Sequence, residues 1–251
     1  MNLREGLEAI NKEVASRLWA LADEKRVKPR LVIPMTRKTK TKKESSPRVS
    51  EQEARVLLCQ VLDGSQWFYS VETPTREVFK EKGFTPLSAR TDVSLYEGPL
   101  PSDQSKKVNI ELKANNPPVE EFRKDFEKLV REGLNGVWFH LLRNSDEGTL
   151  RSVFKKIHES FQALEKWKSE CKPPPFILFA FCELDLPQGR HQRLRQGVLE
   201  IGDQTLQQIL GRVEHLFGPK AQPDLEAAGW RSFKPMAPLG KQVPKGSPLA
   251  G

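Results

Sequence analysis

No run of about eighteen apolar residues, the length a helix needs to cross a bilayer, occurs in these 251 residues. The opening MNLREGLEAINKEV also lacks the apolar stretch of a signal peptide. The expectation is a soluble cytoplasmic protein with no membrane partner. Cysteine is scarce: Cys59, Cys171 and Cys182 are odd in number and scattered, which fits reduced thiols better than a disulfide framework. Zinc-type spacing is missing as well, since His140, His158, His191 and His215 pair neither with one another nor with the cysteines at ligand intervals. No internal repeat is present.

What is there is charge, unevenly placed. The formal net charge is +8, yet residues 25 to 43, KRVKPRLVIPMTRKTKTKK, hold nine Lys or Arg and no acid. The rest of the chain is therefore close to neutral. This segment reads either as an arm that neutralises phosphates, with Arg37, Lys38, Lys40, Lys42 and Lys43 as its contacts, or as a solvated linker.

Hydrophobic spacing divides the chain into a helix at residues 1–24, the basic linker at 25–49, a core domain at 50–218 and a Pro-rich tail at 219–251 without a core of its own. The first helix carries Leu3, Leu7, Ile10, Val14, Leu18 and Leu21 on one face. It could pack on the core, on a second copy or on a protein partner. The core opens with a helix after Ser50, where Ser50 and Glu53 have capping-box spacing. Strands are expected at WFYSVET, ARTDVSLY and KVNIELKA, then a helix from Val119, a strand at GVWFHLL, a helix over about 149–168 and a buried strand at FILFAFC. One more helix is expected at TLQQILGRVEHLFG, and RHQRLRQG reads as a basic loop or an added nucleic-acid surface.

Within VNIELKANN, Val108, Ile110 and Leu112 alternate with Asn109, Glu111 and Lys113. Strand side chains repeat every two residues, so Glu111 and Lys113 share a face. The Pro/Gly turn between ARTDVSLY and KVNIELKA makes the two an antiparallel hairpin, which returns Asp92 to the level of Glu111 and Lys113. Two carboxylates that close repel unless something positive lies between them. A hard divalent cation suits such oxygens and leaves positions for water and a phosphate. Ordinary surface charge on a half-exposed strand is the alternative.

Asp92, then Glu111-Leu112-Lys113, in an α-β-β-β-α-β order over residues 50 to 183, resembles the PD-(D/E)XK nucleases, the restriction-endonuclease-like phosphodiesterases. Thr91 stands where the name-giving proline would be. The resemblance implies an α/β fold with an αβββαβ core and a central mixed sheet flanked by helices. It implies Mg²⁺, with Mn²⁺ as the alternative, held by Asp92, Glu111 and the carbonyl of Leu112, with Lys113 assisting the attacking water. Many members add an acid from the first core helix, which makes Glu53 the candidate and Glu51 the second; for Glu53, capping alone is the competing role. Lys124, Lys128 and Arg131 could meet the phosphate backbone or be solvated, Glu72 could enter the cleft or face solvent, and Trp138 and His140 read as packing residues. The expected function is a metal-dependent endonuclease acting on nucleic acid, DNA more than RNA, in restriction, repair, mobile-element processing or defence; cutting both strands of a duplex would suit a homodimer. A catalytically silent binding or interaction module, or a subunit active only in a complex, is the alternative.

Overall fold

The computed structural model describes residues 2–22, 31–34, 47–79, 87–100, 102, 104–144, 146–163, 174–186, 191–202, 204–219 and 225–235. The basic residues Arg37, Lys38, Lys40, Lys42 and Lys43 lie outside them. Among the described residues the order is α1 (Leu3–Ala22), α2 (Glu51–Leu62), β1 (Phe68–Phe79), β2 (Leu87–Tyr96), β3 (Lys106–Ala114), α3 (Val119–Arg131), β4 (Asn135–Leu142), α4 (Glu147–Ala163), β5 (Phe176–Glu183), β6 (Arg193–Glu200), α5 (Leu206–Phe217) and β7 (Arg231–Phe233). The strands form one sheet in sequence order. Pairing is antiparallel from β1 to β3, parallel across β3, β4 and β5, and antiparallel again to β6 and β7. This is an α/β fold with a seven-stranded mixed sheet, larger than the sheet the αβββαβ expectation supplies.

Each face of the sheet carries its own core. Val93, Leu95, Val108, Ile110, Leu112, Phe139 and Cys182 face α1 and α2. On the other side Trp138, Ile177, Phe179, Phe181 and Leu199 meet the inward residues of α3, α4 and α5. The interior strand β5 is apolar on both faces, as a strand covered by helices must be. In contrast, β3 is apolar only toward α1 and α2. Its second face, Asn109, Glu111 and Lys113, turns toward α3, and Asn109 and Glu111 are as buried as the apolar residues. The half-polar strand in the sequence is thus a buried polar face and not a surface.

Two expectations are corrected here and one open alternative is resolved. Of the surfaces open to the N-terminal helix, it packs on the core: Leu7, Val14 and Leu18 are buried in it, Trp19 donates its indole N–H to the carbonyl of Glu183 at 3.0 Å, and Asn11 hydrogen-bonds Gln196 at 3.1 Å. Its apolar stripe is thereby used within the chain and not on a partner. RHQRLRQG does not read as a loop throughout, because Arg193–Glu200 is β6; Arg195 is largely buried and paired with the Glu183 carboxylate. Alternate residues of β6 meet opposite cores, which placed a charge at an inward position and hid the strand. Arg190 lies outside the described residues.

The boundary at 218 also moves. Trp230 is buried among Phe154, Phe181 and Phe217, with ring centroids 5.3 to 5.5 Å away, and donates to the carbonyl of Leu216 at 3.0 Å. It lies so close over Gly197 that a Cβ there would approach its ring to 2.9 Å. Residues 225–235 therefore belong to the fold, and β7 extends the sheet beside β6.

Candidate active site

The β2–β3 ladder runs from Tyr96 only as far as Val93 opposite Ile110, although both strands continue. One step further, Asp92 and Glu111 stand opposite each other, and the ladder gives way to side chains. The Asp92 carboxylate accepts the N–H of Leu112 at 2.8 Å. The register of β1 with β2 brackets the same level, Val71 opposite Val93 and Thr73 opposite Thr91, so Glu72 faces Asp92 from the other side. A row of three acids thus crosses three adjacent strands: Glu72, Asp92 and Glu111. Like charges directly across a sheet repel. Helices on both sides supply what holds them.

From α2, Arg55 donates to Glu72 at 2.5 Å and to the second oxygen of Asp92. Glu72 itself has φ 51°, a left-handed backbone that is costly for a non-glycine residue and tends to mark functional places. From α3, the amine of Lys128 lies 2.7 Å from Glu111, 2.8 Å from Asp125 and 2.9 Å from the carbonyl of Arg90. Lys113 reaches Asp125 at 2.6 Å, with Glu121 at 3.8 Å on the rim. Asp125 lies beside Phe126 and three residues after Phe122, on the inward stripe of α3, which is how a charge reaches the buried face of β3.

Burial decides the electrostatics. Glu111 is 1% exposed, and burial, with Asp125 and Asp92 adding to it, pushes its pKa well above the carboxylate range despite Lys128. Burial also raises Asp92, against the pull of the Leu112 N–H and Arg55. Glu51 is raised chiefly by burial too, and it feels Lys113, Asp92, Arg55 and Asp125. For Lys113 burial alone would lower the pKa, but Asp125, Glu51 and Glu111 outweigh it and the net shift is upward. Lys128 is raised in the same way by Glu111 and Asp125 against burial.

These placements sort the expected site residues. Asp92, Glu111, Leu112 and Lys113 come together. Glu53 does not join them: its carboxylate accepts the N–H of Ser50 at 3.1 Å and the Ser50 hydroxyl at 2.6 Å, closing the capping box. Glu51 is the acid of α2 that faces the cluster, because Glu51 and Arg55, four apart, share a helix face. Lys128, expected at the phosphate backbone, instead turns its amine inward to the buried carboxylates of Glu111 and Asp125. Lys124 lies on the exposed face of α3. A lowered Lys113 pKa, which a role as base needs, is not found. Arg55 and Asp125 are the members the sequence did not single out, and the i, i+4 pairing with Glu51 and the inward stripe of α3 were their signals.

Next to the cluster, His140 packs against Phe122 and Phe181. The Asn115 carbonyl, 2.5 Å from Nε2, can only accept, so Nε2 carries the proton, and Trp138 donates to Nδ1 at 3.4 Å. Burial lowers its pKa from 6.5 to about 4, and the indole N–H leaves no room for a second proton. As pH falls from 6.5 to 4 the unfolded chain takes up a proton that the folded chain refuses. Stability from His140 is lost across that window, by about 3 kcal/mol in total. Asp92, Glu111 and Glu51, held above their usual values, act in the opposite direction, so the contribution is read by difference. His140→Gln, which keeps one donor and one acceptor, is expected to remove that slope in urea unfolding measured across the window; an unchanged slope would contradict it.

Five inner carboxylates, Glu51, Glu72, Asp92, Glu111 and Asp125, meet three cations, Arg55, Lys113 and Lys128. With all five ionised the formal excess is two negative charges, and it is this crowding together with burial that holds Glu111, Asp92 and Glu51 above their usual values. One oxygen of Glu111, Oε1, is buried with no hydrogen-bond partner, an arrangement that costs free energy unless something fills it. Hard oxygen donors, a charge excess of two and an orphaned carboxylate oxygen fit a divalent cation such as Mg²⁺. Among the described residues no three acidic, His or Cys side chains converge on one point, because Asp92 is turned to Arg55 and Glu111 to Lys128. Comparison with protein-family models, with curated proteins and with solved structures finds no match for this chain.

Proposed function

We propose that the chain is a Mg²⁺-dependent nuclease, also served by Mn²⁺, that hydrolyses phosphodiester bonds of nucleic acid, with DNA as the favoured polymer. The succession α2-β1-β2-β3-α3-β4 would be its restriction-endonuclease-like core inside the larger sheet. One observation carries this: Asp92, Glu111 and Lys113 meet where the β2–β3 ladder ends, with a buried Glu111 oxygen left without a partner. Asp92 and Glu111, with the carbonyl of Leu112, would hold the cation. When bound, that ion supplies polarisation of the phosphoryl oxygen and a more acidic water.

The chain's own residues do the rest. The hydrogen bond from Leu112 fixes Asp92 to the backbone of the residue whose carbonyl is the third donor. Asp125 orients Lys113 and keeps it protonated. A protonated Lys113 hydrogen-bonds the attacking water and offsets the negative charge that builds on the phosphoryl oxygens, a purely electrostatic contribution. Glu51 stands at the half-buried mouth as acceptor for a water proton.

Retention of the fold as a catalytically silent binding module, or as a subunit active only in a complex, is favoured by a different fact: Arg55 and Lys128 already neutralise the two key acids. Incubation of the folded protein with supercoiled plasmid and labelled single-stranded DNA and RNA, in Mg²⁺, Mn²⁺ or EDTA, separates the two. Cutting of DNA that needs a divalent ion is expected. Intact substrates with every ion would transfer the conclusion to the silent module or the partner-dependent subunit.

A further inference from the structure

We infer that Arg55 is an internal counter-ion that a divalent cation must displace from Asp92, so that the site exchanges a guanidinium for a metal ion when it becomes competent. This rests on the cation-dependent reading above. The geometry is specific. One guanidinium nitrogen of Arg55 is on Asp92 and the other is 2.5 Å from Glu72, so the fork bridges two acids that face each other across β1 and β2. A planar guanidinium matches that task, and a carboxylate bound to it offers less of its charge to anything else.

Two further features point to exchange and not to a fixed structural bridge. Asp92 and Glu111 lie at the same level of their hairpin, yet the oxygens do not converge: Asp92 is held by Arg55 and the Leu112 N–H, while Glu111 keeps one buried oxygen unpartnered. Lys128 occupies the other oxygen of Glu111 and leaves Oε1 open, so the contact that cation binding must break is the Arg55–Asp92 pair. Glu72, in its left-handed backbone, keeps a second hold on the same guanidinium. Once released from Asp92, Arg55 has a carboxylate to remain on, and the displaced charge is not left unpaired in a partly buried place. Glu51, one helical turn before Arg55, stays beside the site throughout.

Exchange makes cation affinity weaker than the donors alone would give, because each binding event must break a charge-assisted hydrogen bond. Breaking one changes an equilibrium by about ten- to a hundredfold. The test is Mn²⁺ binding by titration calorimetry on the full chain, with thermal unfolding in EDTA and in Mn²⁺ as a second readout, for wild type, Arg55→Ala and Arg55→Lys. Arg55→Ala is expected to bind Mn²⁺ about ten- to a hundredfold more tightly, to unfold at lower temperature in EDTA, and to recover that loss in Mn²⁺.

Arg55→Lys keeps the charge but loses the fork, and should fall between the two; it also decides the matter if the alanine variant does not fold. Equal Mn²⁺ affinity in wild type and Arg55→Lys, with tighter binding only in Arg55→Ala, would reduce the effect to net charge and overturn displacement. Wild-type binding with unchanged affinity in both variants would overturn the exchange and leave the nuclease proposal standing. Absence of Mn²⁺ binding in all three would remove both.

Discussion

Lys128→Met is expected to destabilise the protein by about 3–5 kcal/mol, the cost of removing one partner from a buried ion pair. The methionine fills nearly the same volume, so loss of packing contributes little. The loss comes from what remains: Glu111, 1% exposed, and Asp125, 5% exposed, would face each other without the ammonium that lies within 2.8 Å of both. The carbonyl of Arg90 would also lose its donor. Because the folded-state pKa of Lys128 is raised above 10.5, its contribution is fully present below that pH and is lost only as pH rises through the folded value. Chemical denaturation at neutral pH therefore reads the whole effect. Adding Glu111→Gln to Lys128→Met should recover much of the loss, since it removes the stranded charge, and the double-mutant cycle gives their coupling. A loss below about 1 kcal/mol, typical of an exposed pair, would mean that water reaches the cluster and that Lys128 remains available to a phosphate.

What the sequence revealed and what it hid divide along one physical line. Alternation within a strand is local, so VNIELKA alone placed Glu111 and Lys113 on one face, and the hairpin added Asp92. The cations opposite them come from helices, and which helix face turns inward is a property of packing. Lys128 looks like any basic residue of an outer face until Phe122, Phe126 and Leu129 are seen to seat α3 against β3 and β4, which carries Asp125 and Lys128 in with them. Glu53 and Glu51 differ by two residues, nearly opposite sides of a helix, and the capping box that was visible at Ser50 takes Glu53 for itself.

The same line runs through the fold. Strands rich in apolar residues were legible at FILFAFC and GVWFHLL. β6 was not, because Arg195 occupies a buried position that only Glu183 makes tolerable. Trp230 was hidden by its surroundings: two aromatics, Trp230 and Phe233, among prolines carry no periodicity, yet Gly197 leaves the opening Trp230 fills.

If the chain is the nuclease proposed above, a loss of about a thousandfold in cleavage rate is expected for both Asp92→Asn and Lys113→Met, within the range for a positioned charge or proton-transfer group, but for different reasons that a binding experiment separates. Asp92→Asn removes the negative charge and one of the two oxygens that serve the Leu112 N–H and Arg55, which weakens the proposed cation ligand, so Mn²⁺ affinity should fall along with turnover. Lys113→Met removes a positive charge from the acidic cluster, so Mn²⁺ affinity should hold or rise while turnover is lost. The third variant, Lys113→Arg, tests what the lysine does. Its raised pKa, set by Asp125, Glu51 and Glu111 against burial, keeps the amine protonated at neutral pH, which within the proposed reaction assigns it charge compensation and not proton abstraction. An arginine also carries that charge and can keep the contact with Asp125, so Lys113→Arg should retain clearly more activity than Lys113→Met. If the two are equally inactive while both still bind Mn²⁺, the neutral amine is the working form. The cation would then have to displace Lys113 from Asp125 before the amine could take a proton from water.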